Sequence, residues 1–108
     1  MKYPIYNEIP NANVAADKVW SVEPGRAYVA TCGDEAGGGG VASFQFWDGG
    51  TDGGVDPTFK TFEACDGSGS WGLMFIGPPT GVVKLDVTGT VNFAMRPVIG
   101  YAQKLGKL

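Results

Sequence analysis

A chain of 108 residues, 44% of them apolar, has material for one domain with a small core, and 18 glycines with seven prolines favour short strands and turns over helices. The net charge of −3 lacks the basic excess of a nucleic-acid binder, and no apolar run approaches a membrane span. There is no histidine, which removes the commonest general base, Ser–His and Cys–His nucleophile pairs and most zinc sites.

Residues 1–17 carry Pro4, Pro10 and several Asn and Ala without periodicity, which reads as an extended N-terminal arm. Tyr3, Ile5, Tyr6 and Ile9 are too apolar for a free solvated tail, so the arm is expected to pack on its own domain or on a neighbouring chain. The opening "MKYPIYNEIP" has neither a continuous apolar segment nor a small-residue cleavage site, so the expectation is synthesis in the cytoplasm without a signal peptide. Cys32 and Cys65 are then expected as reduced, buried thiols rather than a disulfide, although their two strands could be neighbours across a sheet.

Residues 18–98 follow a strand-and-turn pattern. "KVWSVE" is a first strand, ended by the turn "PGR", where Pro24 presets φ. "AYVATC" puts Tyr28, Ala30 and Cys32 on one face and Ala27, Val29 and Thr31 on the other. After the loop "GDEAGGGG", "VASFQFW" places Phe44 and Phe46 on one face. "TFKTFEAC" is the next strand, closed by "DGSG", and "SWGLMFI" aligns Trp71, Leu73 and Phe75 before "GPPTG" stops it. The clearest alternation comes last: Val83, Leu85 and Val87 in "VVKLDVT", then Val91, Phe93 and Met95 in "TVNFAMRPV", with Gly89 and Thr90 as a tight turn between them. Evenly spaced short strands predict an all-β domain, a small antiparallel β-sandwich or barrel of about seven strands. Residues 99–108 form a short C-terminal tail mixing apolar and basic side chains, among them Leu105 and Leu108.

Charge is unevenly placed. Seven acids and one base, Lys60, lie between Asp34 and Asp66, whereas Lys84, Arg96, Lys104 and Lys107 face one acid, Asp86, from there to the end. An acidic middle and a basic tail suit contacts between copies, and a charged fraction of only 18% fits a surface partly covered by assembly.

The stretch "WDGGTDGGVDP" spaces Asp48, Asp52 and Asp56 four residues apart among glycines. A carboxylate-pair hydrolase needs two rigidly held acids, and a glycine loop does not hold them, so an enzyme is not expected. Calcium loops place ligands at alternating positions, which this spacing does not match, and no metal or cofactor is expected. The favoured reading is a long, soluble connection between two strands. "GDEAGGGG" lacks the Lys-Ser or Lys-Thr of a phosphate loop and does not open a helix. Trp20 and Trp71 belong to alternating strands and are expected in the core. Trp47, at a strand end beside the acidic loop, is the candidate exposed platform for a sugar ring.

"FQFWDGGTDGG" is similar to the strand followed by a Gly/Asp loop in capsid decoration proteins. "PPTGVVKLDVTGTVNFAM" resembles the closing hairpin of small phage β-sandwich proteins. Together with the apolar arm and the apolar-basic tail, these segments make the chain resemble small structural proteins of tailed-phage virions, of the capsid decoration or cement type. That resemblance implies a non-catalytic protein of the virion surface whose partner is the major capsid protein. It also implies a homo-oligomer, with a trimer favoured, and no nucleic-acid or membrane partner. The expected capsid contacts are Tyr3, Ile5, Tyr6 and Ile9 in the arm, with Leu105 and Leu108 in the tail. The alternative is a carbohydrate- or receptor-binding β module, such as a head fibre knob, using Trp47.

Overall fold

The computed structural model describes residues 3–34, 40–62 and 70–98. They form eight strands: β1 (Ile9–Val14), β2 (Lys18–Ser21), β3 (Ala27–Asp34), β4 (Val41–Asp52), β5 (Asp56–Thr61), β6 (Trp71–Ile76), β7 (Val82–Thr88) and β8 (Val91–Pro97). Two four-stranded antiparallel sheets, ordered β1-β8-β3-β6 and β2-β7-β4-β5, pack as a sandwich. The all-β expectation holds, with one strand more than the seven foreseen. Cys65, Leu105 and Leu108 lie outside the described residues.

Alternation decides which face of each strand is buried. Tyr28, Ala30 and Cys32 of β3, Phe44 of β4, Val83 and Leu85 of β7, and Val91, Phe93 and Met95 of β8 all turn inward and are buried. The core is largely aromatic. Phe44 lies 5.8 Å from Trp20 and 5.9 Å from Phe93 between ring centroids, and Phe75 meets it edge-on at 5.0 Å. Trp71 is half-buried and its indole N–H donates to the Ala42 carbonyl at 3.0 Å, tying β6 to the facing sheet. Trp20 is fully buried, and its indole N–H has no acceptor among the described residues.

The segment read as an extended arm lies along its own domain, one of the two packings expected for it. Tyr6 donates its N–H to the Ser21 carbonyl at 3.0 Å, and the Ser21 N–H donates to the Pro4 carbonyl at 2.8 Å, so residues 4–6 run beside β2. The chain then bends and enters β1, which pairs with β8 from Ile9↔Met95 to Val14↔Val91. The N-terminal residues thus cover the open side of the sandwich bounded by β1 and β2. The opposite side is bounded by β5 and β6, where Phe46, Phe62, Trp71 and Leu73 are only partly buried against the core.

Candidate functional site

Strand direction gathers the candidate residues at one end of the sandwich. Pairings Tyr28↔Pro97, Ala27↔Ile76 and Ser21↔Val82 place the start of β3 and β7 beside the finish of β2, β6 and β8. The β4–β5 hairpin projects past the same end, because the last β4–β7 pair is Phe46↔Val83 while β4 continues to Asp52.

The N-terminal segment and the turn after β2 enclose an open groove of about 660 Å³, lined by Tyr3, Ile5, Asn7, Ser21, Val22, Glu23 and Pro24. The Tyr28 hydroxyl joins two of these lining residues from behind. It donates to Asn7 Oδ1 at 2.8 Å and accepts the Glu23 N–H at 2.9 Å, clasping the N-terminal segment to the turn. Tyr3 is half-buried, whereas Ile5 is 72% exposed and Tyr6 is also exposed. Tyr6 and Ile9 border a smaller hollow of about 230 Å³ with Glu8, Pro10 and Lys18, and the Lys18 ammonium sits 5.3 Å from the Tyr6 ring centroid. The structure thus brings Tyr3 and Ile5 together in one groove and gives Tyr6 and Ile9 to its neighbour.

Sequence reasoning put Tyr28 on the correct face but missed its hydroxyl. The partner Asn7 is 21 positions away, and a Tyr in an alternating strand reads simply as core. Tyr28→Phe removes both ends of the clasp and leaves the Glu23 N–H unpaired, which is expected to cost about 1–3 kcal/mol. Chymotryptic cleavage after Tyr6 should quicken in the variant while the remaining strands stay protected. Equal cleavage rates in both proteins would show that the hydroxyl does not hold the segment.

The acidic stretch is a hairpin rather than a long connection. β4 and β5 pair out to Asp52↔Asp56, with a register shift between Trp47 and Thr51, and the chain reverses through Gly53 and Gly54 at φ of +61° and +77°. Those positive angles suit glycine and strain most other residues. Asp48 serves the hairpin itself. Its Oδ1 accepts from Thr58 Oγ1 at 2.7 Å and from the Gly50 N–H at 2.9 Å, and Lys60 Nζ lies 4.0 Å from Oδ2. The Thr58 and Gly50 hydrogen bonds, with Lys60 adding to them, hold this exposed carboxyl below its usual range. Any support it gives the hairpin is therefore complete at neutral pH and lost only as pH falls through that lowered value. Asp52 and Asp56 face each other at the tip, apart from Asp48. No three His, Cys, Asp or Glu side chains gather as a metal-ligand set among the described residues.

Trp47 is half-buried rather than a free platform. Its indole N–H donates to the Gly50 carbonyl at 2.7 Å, and its own carbonyl accepts from Thr80 Oγ1 at 2.8 Å. Phe59 stands opposite it on β5, and Lys84 Nζ lies 5.3 Å from the Phe59 ring centroid. The outward face of this sheet is thus polar with an aromatic end. The chain matches no protein-family model, and no curated protein or solved structure is detectably similar to it.

Proposed function

We propose that the chain is a non-catalytic structural protein of a tailed-phage virion, which docks on the outer surface of the capsid lattice and stabilises it. The observation that carries this reading is the exposed Ile5–Tyr6 pair, presented on a segment whose backbone is already bonded to β2 and which borders an apolar groove. A side chain offered from an ordered segment loses little further entropy on binding, so a small contact is effective. Repetition over a lattice adds avidity to each modest contact. The sequence resemblance supports the same assignment, with the major capsid protein as the partner.

Ile5→Asp tests it. The residue is mostly exposed, so thermal stability should change by no more than about 0.5 kcal/mol. Co-sedimentation with undecorated capsids assembled from the same phage's major capsid protein should weaken by about tenfold or more, the equivalent of about 1.4 kcal/mol per site. Undiminished binding would remove the N-terminal segment as the docking element. The alternative reading, a carbohydrate- or receptor-binding module, rests on Trp47 and Phe59 sharing a face with Gln45 and Lys84. Trp47→Ala separates the two readings, since it should leave capsid binding unchanged and abolish binding to a glycan.

A further inference from the structure

The four sheet edges formed by the described residues are not treated alike. β1 carries Pro10 and a register shift between Ile9 and Ala12. β2 is four residues long, includes Lys18, and has residues 4–6 bonded along it. β5 carries Pro57, Lys60 and its own register irregularity. Each of these devices discourages pairing with another chain. β6, "WGLMFI", has none of them: no charge, no proline, and an unbroken register against β3 from Ala27↔Ile76 to Cys32↔Trp71. Its outward-facing residues are Gly72, Met74 and Ile76, the last two 61% and 58% exposed. β7, by contrast, turns Lys84 and Asp86 outward on the other sheet.

We infer that β6 is a self-pairing edge, at which a second copy of this chain adds its own β6 antiparallel about a two-fold axis through Met74. The backbone fixes this register. The Gly77 N–H donates to the Arg26 carbonyl, so alternation along the ladder turns the N–H and carbonyl groups of Gly72, Met74 and Ile76 away from β3. Met74 then faces Met74 of the second copy, and each Gly72 faces an Ile76, a small residue against a large one. About six inter-chain backbone hydrogen bonds follow from that register. On the inner face, Leu73 comes opposite Phe75 of the other copy and extends the apolar row.

Absence of charge on β6 means the two-fold axis brings no like charges together, which is what an interface between identical patches requires. A stable specific interface buries roughly 1,200 Å² or more, beyond what a six-residue edge supplies alone. The partly buried Phe46, Phe62, Trp71 and Leu73 along the same side, which no other described residue covers fully, are the apolar surface available for the rest. The pairing leaves Ile5 and Tyr6 on the far side of each sandwich, so it neither uses nor blocks the groove.

Light scattering on size-exclusion fractions tests the pairing, expecting twice the monomer mass of 11.3 kDa. Met74→Lys should return the mass to the monomer with circular dichroism and thermal midpoint of the dilute protein unchanged. Met74→Cys should form a disulfide-linked dimer on mild oxidation, because directly bonded residues in such a ladder have Cα atoms about 5.5 Å apart. The native protein and Thr88→Cys, exposed on β7, should not do so. A monomer at all concentrations, a trimer, or a dimer indifferent to Met74→Lys would overturn the proposal. So would a monomer whose Gly72, Met74 and Ile76 amides resist hydrogen exchange until residues 99–108 are removed, since the chain's own tail would then occupy the edge.

Discussion

Phe44→Ala is expected to lower the stability of the domain by about 3–5 kcal/mol, a substantial part of what a domain of this size possesses. The ring is fully buried in the first third of β4, with the rings of Trp20, Phe62, Trp71, Phe75 and Phe93 at centroid separations between 5.0 and 6.0 Å. Trp20 lies in the same sheet as Phe44, while Trp71, Phe75 and Phe93 come from the facing one, so this one side chain joins both layers. Truncation loses the transfer free energy of the ring and leaves a cavity bounded by large, rigid rings that cannot collapse into it. The thermal midpoint should fall by about 12–40 °C, since about 1 kcal/mol corresponds to 4–8 °C in a domain near this length. Phe46→Ala is the comparison. That ring is half-buried and has Phe62 as its aromatic neighbour, at 5.0 Å, so its loss should cost about half as much. Urea titrations followed by tryptophan fluorescence and circular dichroism measure both. A loss under about 1 kcal/mol for Phe44→Ala would mean that the two sheets do not meet at this ring.

The same core explains what could be read from the sequence. β7 and β8 were legible because one face of each is wholly apolar, Val83 and Leu85 in one, Val91, Phe93 and Met95 in the other, and that face alone determines their register. β1 was missed for the opposite reason. In "IPNANV" only Ile9 and Val14 turn partly inward, and a shifted edge strand with Asn11 and Asn13 shows no alternation. The one hint was that Tyr3, Ile5, Tyr6 and Ile9 are too apolar to be free. The second half of β4 was hidden by composition. Asp and Gly read as turn residues, yet beyond Trp47 the hairpin has outrun the core and needs no apolar face. Its backbone ladder and the Asp48 side chain sustain it instead. Which strands lie at sheet edges could not be read at all, because it follows from pairings such as β3 with β6 that join residues as distant in sequence as Ala27 and Ile76. The groove was only half legible for the same reason: Ile5 could be singled out, but not the Ser21–Pro24 wall that faces it.

That wall depends on one glycine. A Cβ on Gly77 would lie 2.1 Å from the Glu23 carbonyl oxygen, 3.0 Å from its carbon and 3.3 Å from Pro24 Cα. The atoms in the way are backbone, and the turn cannot retreat freely. Gly25 donates its N–H to the Gly77 carbonyl at 2.9 Å, and the Gly77 N–H donates to the Arg26 carbonyl at 2.7 Å. Gly77→Ala must therefore push the 22–26 turn outward by about 1 Å to reach ordinary contact, stretching both bonds. Overpacking of this kind costs about 1–3 kcal/mol, and each weakened bond adds up to about 1 kcal/mol. Gly33→Ala is the control, since a Cβ there would meet Asn92 Cβ at 4.0 Å, and it should be neutral or slightly stabilising. The displaced turn carries Val22, Glu23 and Pro24, which line the groove, and the Glu23 N–H held by Tyr28. Gly77→Ala should therefore weaken capsid binding as well as stability, although it touches neither Ile5 nor Tyr6. Measured well below the lowered thermal midpoint, where the variant is fully folded, that weakening separates a shaped groove from an exposed side chain acting alone. Native affinity in the folded variant would leave Ile5 and Tyr6 as the whole docking element and the groove beside them without a part in it.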